Sequence, residues 1–233
     1  MRAAVVTFPG SNCDVDLAEA VAAAGGNAEL VWHRNADLDG FDAVLLPGGF
    51  SYGDHLRPAA IARLSPVMRD VRSFAAGGGL VLGICNGFQL LCEAGLLPGA
   101  LVVNTSLRFQ SETVSVRVER TDTPFTKRLE PGAVLDMPIA HAEGRYYAEA
   151  ATLERVTDEG LIAFRYVNRS GETHPSANPN GSAHSIAGLV NARGNVLGMM
   201  PHPERAVDIL MGSTDGLGIF ESLTASAAVG AAS

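Results

Sequence analysis

The feature that most constrains the fold is a series of short apolar runs in the first half, alternating with helical patterns. Four runs predict strands, at residues 3–8, 28–32, Ala43–Leu46 and Leu80–Ile84. An alanine-rich helical pattern at 15–24 separates the first two and stops at a Gly-Gly pair. Strands joined by crossover helices are typical of a parallel sheet, and continuously apolar strands indicate that both sheet faces are covered. The first half therefore predicts a doubly wound α/β sheet.

The second half changes to strands separated by turn residues, and residues 113–119 (TVSVRVE) alternate with a period of two. Further strands are predicted at 134–139, 161–167, Ile186–Val190 and 196–200. This pattern is typical of antiparallel pairing, so we predict a mixed, mostly parallel sheet.

The domain organisation is predicted to be simple. No internal repeat or low-complexity linker divides the sequence, so we predict one domain over residues 1–224. The last nine residues, ASAAVGAAS, are small and weakly patterned, which predicts a flexible tail at 225–233.

Composition excludes several classes of function. The chain has 25 acidic and 17 basic residues, a net charge of -8, which argues against a nucleic-acid partner. Its only lysine, Lys127, lies far from any Gly-rich turn, so ATP hydrolysis through a phosphate-binding loop is not expected. No apolar stretch is long enough to predict a membrane span, and no Cys/His spacing predicts a metal site. Three cysteines, an odd number, indicate a reducing compartment, so we expect a cytoplasmic protein.

The sharpest local feature surrounds Cys85. The predicted strand Leu80–Ile84 leads into this cysteine, Gly83 and Gly87 lie two residues on either side, and a helix is predicted at 86–94. Small flanking residues permit the strained turn of a nucleophile elbow, and unpaired N–H groups at the helix start favour a thiolate. The alternative is an inert cysteine buried in the core.

The best candidate for a base is His202. Glu204 lies two residues later with Pro203 between them, and the proline biases His202 toward an extended conformation. Glu204 is thus placed to orient the imidazole as the third member of a triad. An isolated His-Pro-Glu is also compatible with an ordinary turn.

A candidate anion site follows the strand Ala43–Leu46, in the sequence PGGFSYGD at 47–54. Its Gly-Gly turn leaves backbone N–H groups exposed at the crevice of an α/β sheet, where they could form an oxyanion hole with the N–H of Asn86. On its own, such a loop is also compatible with a plain turn.

Together these elements resemble the class I glutamine amidotransferases, and most closely the family of glutaminase subunits of phosphoribosylformylglycinamidine synthase, which acts in purine synthesis. The resemblance covers nearly the whole chain. It is carried by six blocks: TFPGSNCD (7–14), GGFSYGDHLR (48–57), GICNGFQLL (83–91), PIAHAEGRY (138–146), NPNGS (178–182) and GMMPHPER (198–205). Small departures at His55, Pro58 and the Gln110-Ser111 pair concern surface or partner contacts.

The resemblance implies a three-layer, flavodoxin-like fold with helices on both faces of the sheet. It also implies that Cys85 attacks the carboxamide of glutamine while backbone N–H groups of Gly49 and Asn86 hold the oxyanion. His202, oriented by Glu204, then protonates the leaving ammonia and activates water.

Substrate contacts, cofactors and partners are likewise implied by the resemblance. Gly48, Phe50 and Gln89 are expected to contact L-glutamine. The chain is expected to need no cofactor, because ATP and Mg²⁺ are used by a partner synthetase subunit that receives the ammonia. A small accessory subunit is expected in the same complex.

Two rival functions and the roles of three residues stay open. A cysteine hydrolase of the same fold would act on γ-glutamyl or peptide substrates, and a non-catalytic glutamine-binding scaffold would leave Cys85 inert. Cys92 is expected in the core, because it falls on the same helical face as its apolar neighbours. Nothing near Cys13 in the sequence suggests a base, and the residues His141 and Glu143 fit either a partner-contacting turn or a functional role.

Overall fold

The computed structural model describes residues 1–35 and 37–230, and within them the chain forms eleven strands and five α-helices. The strands are β1 (Arg2–Thr7), β2 (Asn27–Trp32), β3 (Ala43–Leu46), β4 (Leu80–Ile84), β5 (Ala100–Val102), β6 (Gln110–Val118), β7 (Val134–His141), β8 (Arg145–Tyr147), β9 (Ile162–Val167), β10 (Ile186–Val190) and β11 (Val196–Met199). The helices are α1 (Asp14–Ala23), α2 (Val67–Ala76), α3 (Asn86–Glu93), α4 (Ala150–Asp158) and α5 (Leu217–Gly230).

Nine of the strands form one mixed sheet in the order β2-β1-β3-β4-β11-β10-β9-β6-β7, and β5 pairs with β8 separately. The strands from β2 to β11 in this order are parallel, whereas each pair from β11 to β7 is antiparallel. The predicted mixed sheet is confirmed. The strand predicted at 196–200 belongs to both halves, because β11 is parallel to β4 and antiparallel to β10.

Helices cover both faces of the parallel half. The chain steps from β1 to β2 in one direction along the sheet and from β3 to β4 in the other. Because such crossovers are right-handed, α1 and α2 must lie on opposite faces. The three-layer prediction is therefore confirmed. Within the described residues, no helix combines the length and apolar character needed to cross a membrane.

The predicted elements mostly match the structure. The bounds of β3, β4 and β10 agree with the sequence prediction, whereas the short strands β5 and β8 and the helix α4 had no clear signal. The segment expected as a tail, 225–233, is helical as far as Gly230, and its last three positions lie outside the described residues. Alanine has the highest helix propensity, so an alanine-rich segment can be helical even where no apolar stripe is evident.

The topology gathers several segments at one edge of the sheet. The parallel strands β1, β3, β4 and β11 all end there, and four successive antiparallel pairings turn β7 back to the same direction. Although β7 is far from β4 in strand order, the Cys85 sulfur lies 3.7 Å from the Ala140 carbonyl oxygen in β7. The antiparallel half therefore curls over the carboxyl ends of the parallel strands, where ligands bind in open α/β sheets.

Candidate active site

Cys85 occupies a strained turn between β4 and α3, as its flanking glycines predict. Its φ and ψ are 51° and -105°, a conformation that non-glycine residues rarely adopt. A Cβ on Gly83 would lie 2.6 Å from the Gly87 carbonyl oxygen, and a Cβ on Gly87 would lie 2.0 Å from that of Leu46. Only glycines allow α3 to approach the ends of β3 and β4 this closely, so both positions are required by the elbow.

The Cys85 thiol lies between two cavities and is 5% exposed. The backbone N–H of Cys85 donates to the Met199 carbonyl at 2.8 Å, which ties the elbow to β11. The first cavity is lined by Asp54 and Glu143 as well as Cys85, and the second is lined by His202. Cys85 thus lines two cavities while its backbone is held by β11.

His202 and Glu204 form a buried pair beside Cys85. Nδ1 of His202 lies 2.6 Å from Oε1 of Glu204. The backbone N–H of His202 donates to the Pro138 carbonyl at 2.8 Å. Burial alone would lower the pKa of His202, but the Glu204 carboxylate and the Cys85 thiolate outweigh it and hold this pKa well above its usual value. No described residue accepts or donates a hydrogen bond at Nε2, so this nitrogen is available for proton transfer.

Cys13 also belongs to this cluster, which the sequence analysis missed. Its sulfur accepts a hydrogen bond from Nη2 of Arg205 at 3.2 Å and contributes to raising the pKa of His202. Arg205 also donates through Nε to Asp16 of α1 at 3.0 Å. The start of α1 is therefore joined to the turn that carries His202, a contact between segments about 190 residues apart that local patterns cannot reveal.

One group in the described part of the chain combines side chains that can bind a metal. Ligand atoms of Cys13, His202 and Glu204 all lie within 4.8 Å of one another. Their sulfur, nitrogen and oxygen donors suit zinc, but the Arg205 guanidinium beside the Cys13 sulfur opposes a second positive charge. We interpret the group as an acid–base cluster.

The loop after β3 offers one candidate backbone donor in the cavities that Cys85 lines. Gly49 has a φ of 147° and lines both cavities. The next two N–H groups are already used: Phe50 donates to the Gly10 carbonyl at 2.9 Å and Ser51 to Oδ1 of Asn86 at 3.1 Å. Gly49 is therefore the candidate donor of this loop, opposite the N–H of Asn86 at the start of α3.

The predicted substrate contacts differ in position. Phe50 lines both cavities, whereas a Cβ on Gly48 would lie 2.8 Å from Cε1 of His202, so Gly48 makes room for the imidazole. Gln89 lines the first cavity, but its amide also donates to the Glu143 carbonyl at 2.7 Å and accepts from Nδ2 of Asn86 at 2.8 Å. Gln89 thus connects α3 to the loop after β7.

His141 and Glu143, whose roles the sequence left open, both line the first cavity, the one that Asp54 also lines. Asp54 was not singled out from the sequence. Cys92 instead packs at the edge of the core, where its sulfur donates toward the Pro98 carbonyl at 3.8 Å and burial of the thiol raises its pKa. The site therefore gathers residues from the loops after β3, β4, β7 and β11.

Comparisons with known proteins agree with this arrangement. The family model of the CobB/CobQ-like glutamine amidotransferase domain matches residues 1–216. A relative named phosphoribosylformylglycinamidine synthase subunit PurQ, from Thermus thermophilus, is 59% identical over 96% of this chain and 97% of its own length. Another of the same name, from Rubrobacter xylanophilus, is 56% identical over 98% of this chain and all of its own length.

A solved structure that includes a PurQ subunit by its name is also similar to this chain. A chain in the structure of PurLQS from Thermotoga maritima superimposes with a TM-score of 0.86 and 43% identity, covering 96% of this chain and 97% of that one. The fold and site define a glutamine amidotransferase. Within that class, the chain belongs to the family of PurQ subunits of phosphoribosylformylglycinamidine synthase.

Proposed function

We propose that this chain hydrolyses L-glutamine to glutamate and ammonia through a thioester on Cys85. The observation that carries the proposal is the position of the Cys85 elbow, with the buried His202–Glu204 pair and the Gly49 loop both beside it. A nucleophile, a base with its orienting carboxylate and backbone donors are the groups that acyl transfer requires.

The reaction proceeds in two halves. The Cys85 thiolate attacks the carboxamide carbon, and the N–H groups of Gly49 and Asn86 stabilise the negative oxygen of the tetrahedral intermediate. The imidazolium of His202 gives its proton to the departing nitrogen, which leaves as ammonia. Neutral His202 then takes a proton from water, the hydroxide attacks the thioester, and glutamate leaves with restoration of the thiolate. Glu204 keeps the imidazole oriented and stabilises its charged form throughout.

The ammonia is proposed to pass to a synthetase subunit that converts formylglycinamide ribonucleotide to formylglycinamidine ribonucleotide. The names of the relatives and the PurLQS assembly of the Thermotoga protein support this assignment. This chain would need no cofactor, since ATP and Mg²⁺ would be used by the synthetase. We further propose a small accessory subunit in the same complex and a cytoplasmic location.

The test is a glutaminase assay of the chain with and without its synthetase subunit, using Cys85→Ala as the inactive control. We expect glutamate release that depends on Cys85 and increases in the complex. Faster turnover of γ-glutamyl peptides than of glutamine would instead favour a peptide hydrolase, and no release in either condition would favour a scaffold.

A further inference from the structure

The cavity on the Asp54 side of Cys85 has an unusual charge. Its volume is about 70 Å³, room for a few water-sized groups beside Cys85. Two carboxyl groups, those of Asp54 and Glu143, belong to its lining, and no lysine or arginine does within the described part of the chain. A ligand of this cavity must therefore accommodate negative charge.

Neither carboxyl group has a basic partner. The ion pairs found among residues 1–35 and 37–230 involve neither Asp54 nor Glu143. Desolvation, followed by repulsion from Glu143, raises the pKa of Asp54 to about 6, and desolvation also raises the pKa of Glu143. The two carboxylates therefore repel each other in a partly desolvated space, and a bound cation would offset that unfavourable free energy.

A third side chain in the lining also lacks a partner. His141 is 3% exposed, and neither of its ring nitrogens has a hydrogen-bond partner among the described residues. Desolvation, with a smaller effect of His202, lowers the pKa of His141 to about 4, so its ring is neutral near pH 7. A neutral imidazole offers one N–H donor and one acceptor, and leaving both unused in a buried position is unfavourable.

The loops that carry the two carboxyl groups are both hydrogen-bonded to the start of α3, next to Cys85. Asn86, the residue after Cys85, accepts the N–H of Ser51 and donates weakly to Oδ1 of Asp54 at 3.4 Å. It also donates to Gln89, which in turn donates to the Glu143 carbonyl. The start of α3 therefore holds both loops beside the nucleophile.

We propose that Asp54 and Glu143 bind the α-ammonium group of the substrate, while His141 donates its N–H to an oxygen of the same molecule. The site thereby selects free α-amino acids that carry a side-chain carboxamide. The inference rests on the proposed glutaminase function and adds the basis of its specificity. A cationic group between the two carboxylates would replace their mutual repulsion with attraction in a partly desolvated space.

Glutaramate is the sharpest probe, because it has the carbon chain, carboxylate and carboxamide of glutamine but no amino group. The complex of this chain with its synthetase subunit would be assayed with both amides. We expect the unmodified protein to prefer glutamine over glutaramate by at least about 100-fold in kcat/KM, equivalent to about 2.7 kcal/mol. Comparable use of both amides would overturn the inference and leave the glutaminase function standing. No hydrolysis of glutamine would overturn both.

Two variants assign the preference to residues. Asp54→Asn and Glu143→Gln keep size and hydrogen bonding but remove the charge, and Glu130→Gln, at an exposed position, is the matched control. We expect each site variant to raise KM for glutamine about tenfold with little change in kcat and none for glutaramate. Equal losses with both amides would indicate a merely structural role and overturn the assignment.

A binding measurement avoids dependence on turnover. In a Cys85→Ala background, calorimetry would compare the affinities for glutamine and glutaramate before and after Asp54→Asn. The inference predicts that the substitution weakens glutamine binding about tenfold and leaves glutaramate unaffected. Unchanged glutamine affinity in a folded variant would contradict it.

Discussion

The two sides of the Cys85 site differ in how far their polar groups are paired. On the His202 side, Glu204 is hydrogen-bonded to His202 and Arg205 is hydrogen-bonded to the Cys13 sulfur. On the other side, Asp54 and Glu143 have no basic partner in the described chain. Groups that perform chemistry are organised in advance, whereas groups that recognise a ligand are left for the ligand to satisfy.

This difference predicts distinct kinetic effects. Substitutions on the His202 side remove interactions with the transition state and should lower kcat. Substitutions on the Asp54 side remove interactions that substrate and transition state share, and should raise KM.

The largest effect is expected from Cys85→Ala. Because no other described cysteine occupies the elbow, loss of the nucleophile should lower glutamine-dependent activity by more than about 10⁴-fold. Ammonia-dependent synthesis by the complex should continue, since the cysteine acts only in ammonia release. An equal loss of both activities would contradict this division of labour.

Glu204→Gln should have the next largest effect. Removal of the carboxylate takes away the main influence that raises the pKa of His202, so the pKa falls and the imidazolium is less populated. We expect kcat to drop about 10³-fold with KM nearly unchanged. Steady-state kinetics would measure both constants, and a change confined to KM would refute the role given to Glu204.

Gly87→Ala tests the turn that joins the two sides. The new methyl group would lie 2.0 Å from the Leu46 carbonyl oxygen, so the backbone must move. We expect a loss of about 3 kcal/mol in the free energy of unfolding, measured by denaturant titration. The matched control is Gly77→Ala, where the nearest atoms lie at an ordinary 3.4 Å, and its expected change is within about 0.5 kcal/mol.

A smaller effect is expected from acidic pH. Asp54 has a pKa of about 6, so it loses its charge as the pH falls through that value. Glu143, His141 and Cys85 line the same cavity and His202 lines the neighbouring one. Protonation of Glu143 would add to the loss of attraction. KM for glutamine should therefore rise about tenfold between pH 7 and pH 5, and Asp54→Asn should flatten this dependence. A KM that is constant over this range would contradict the role of Asp54.

The smallest effect is expected from Cys92→Ser, near the C-terminal end of α3 and about two turns from Cys85. Its sulfur packs near Pro98 and does not line either cavity at Cys85. We expect kcat/KM to stay within about twofold of the unmodified protein, since substitutions away from the reacting groups leave transition-state binding intact. A large loss would show that the core around α3 controls the site.

The sequence predicted the parts of the site that are local in the chain. Gly83 and Gly87 flank Cys85 at a spacing that reflects a steric need, and His202 lies two residues from the carboxylate it contacts. Contacts across the fold were not predictable in this way. Cys13 meets His202, and Asp54 shares a cavity with Glu143, only because the curled sheet brings distant loops together.

The same distinction applies to the fold. Buried strands such as β3 and β4 are continuously apolar and had clear bounds. The three-residue strands β5 and β8 are stabilised by each other and by surrounding packing, so their sequences carry little signal. The helix α5 was not predicted, because its residues form no distinct apolar stripe.

The most direct test of the account is covalent labelling by a glutamine-derived electrophile, read by peptide mass spectrometry on the complex with the synthetase subunit. We predict one adduct, on Cys85, that glutamine prevents and that is retained in Cys13→Ala and Cys92→Ala variants but absent from Cys85→Ala. Labelling on Cys13 in place of Cys85, or no glutamine-protected adduct at all, would contradict the assignment of Cys85 as the nucleophile.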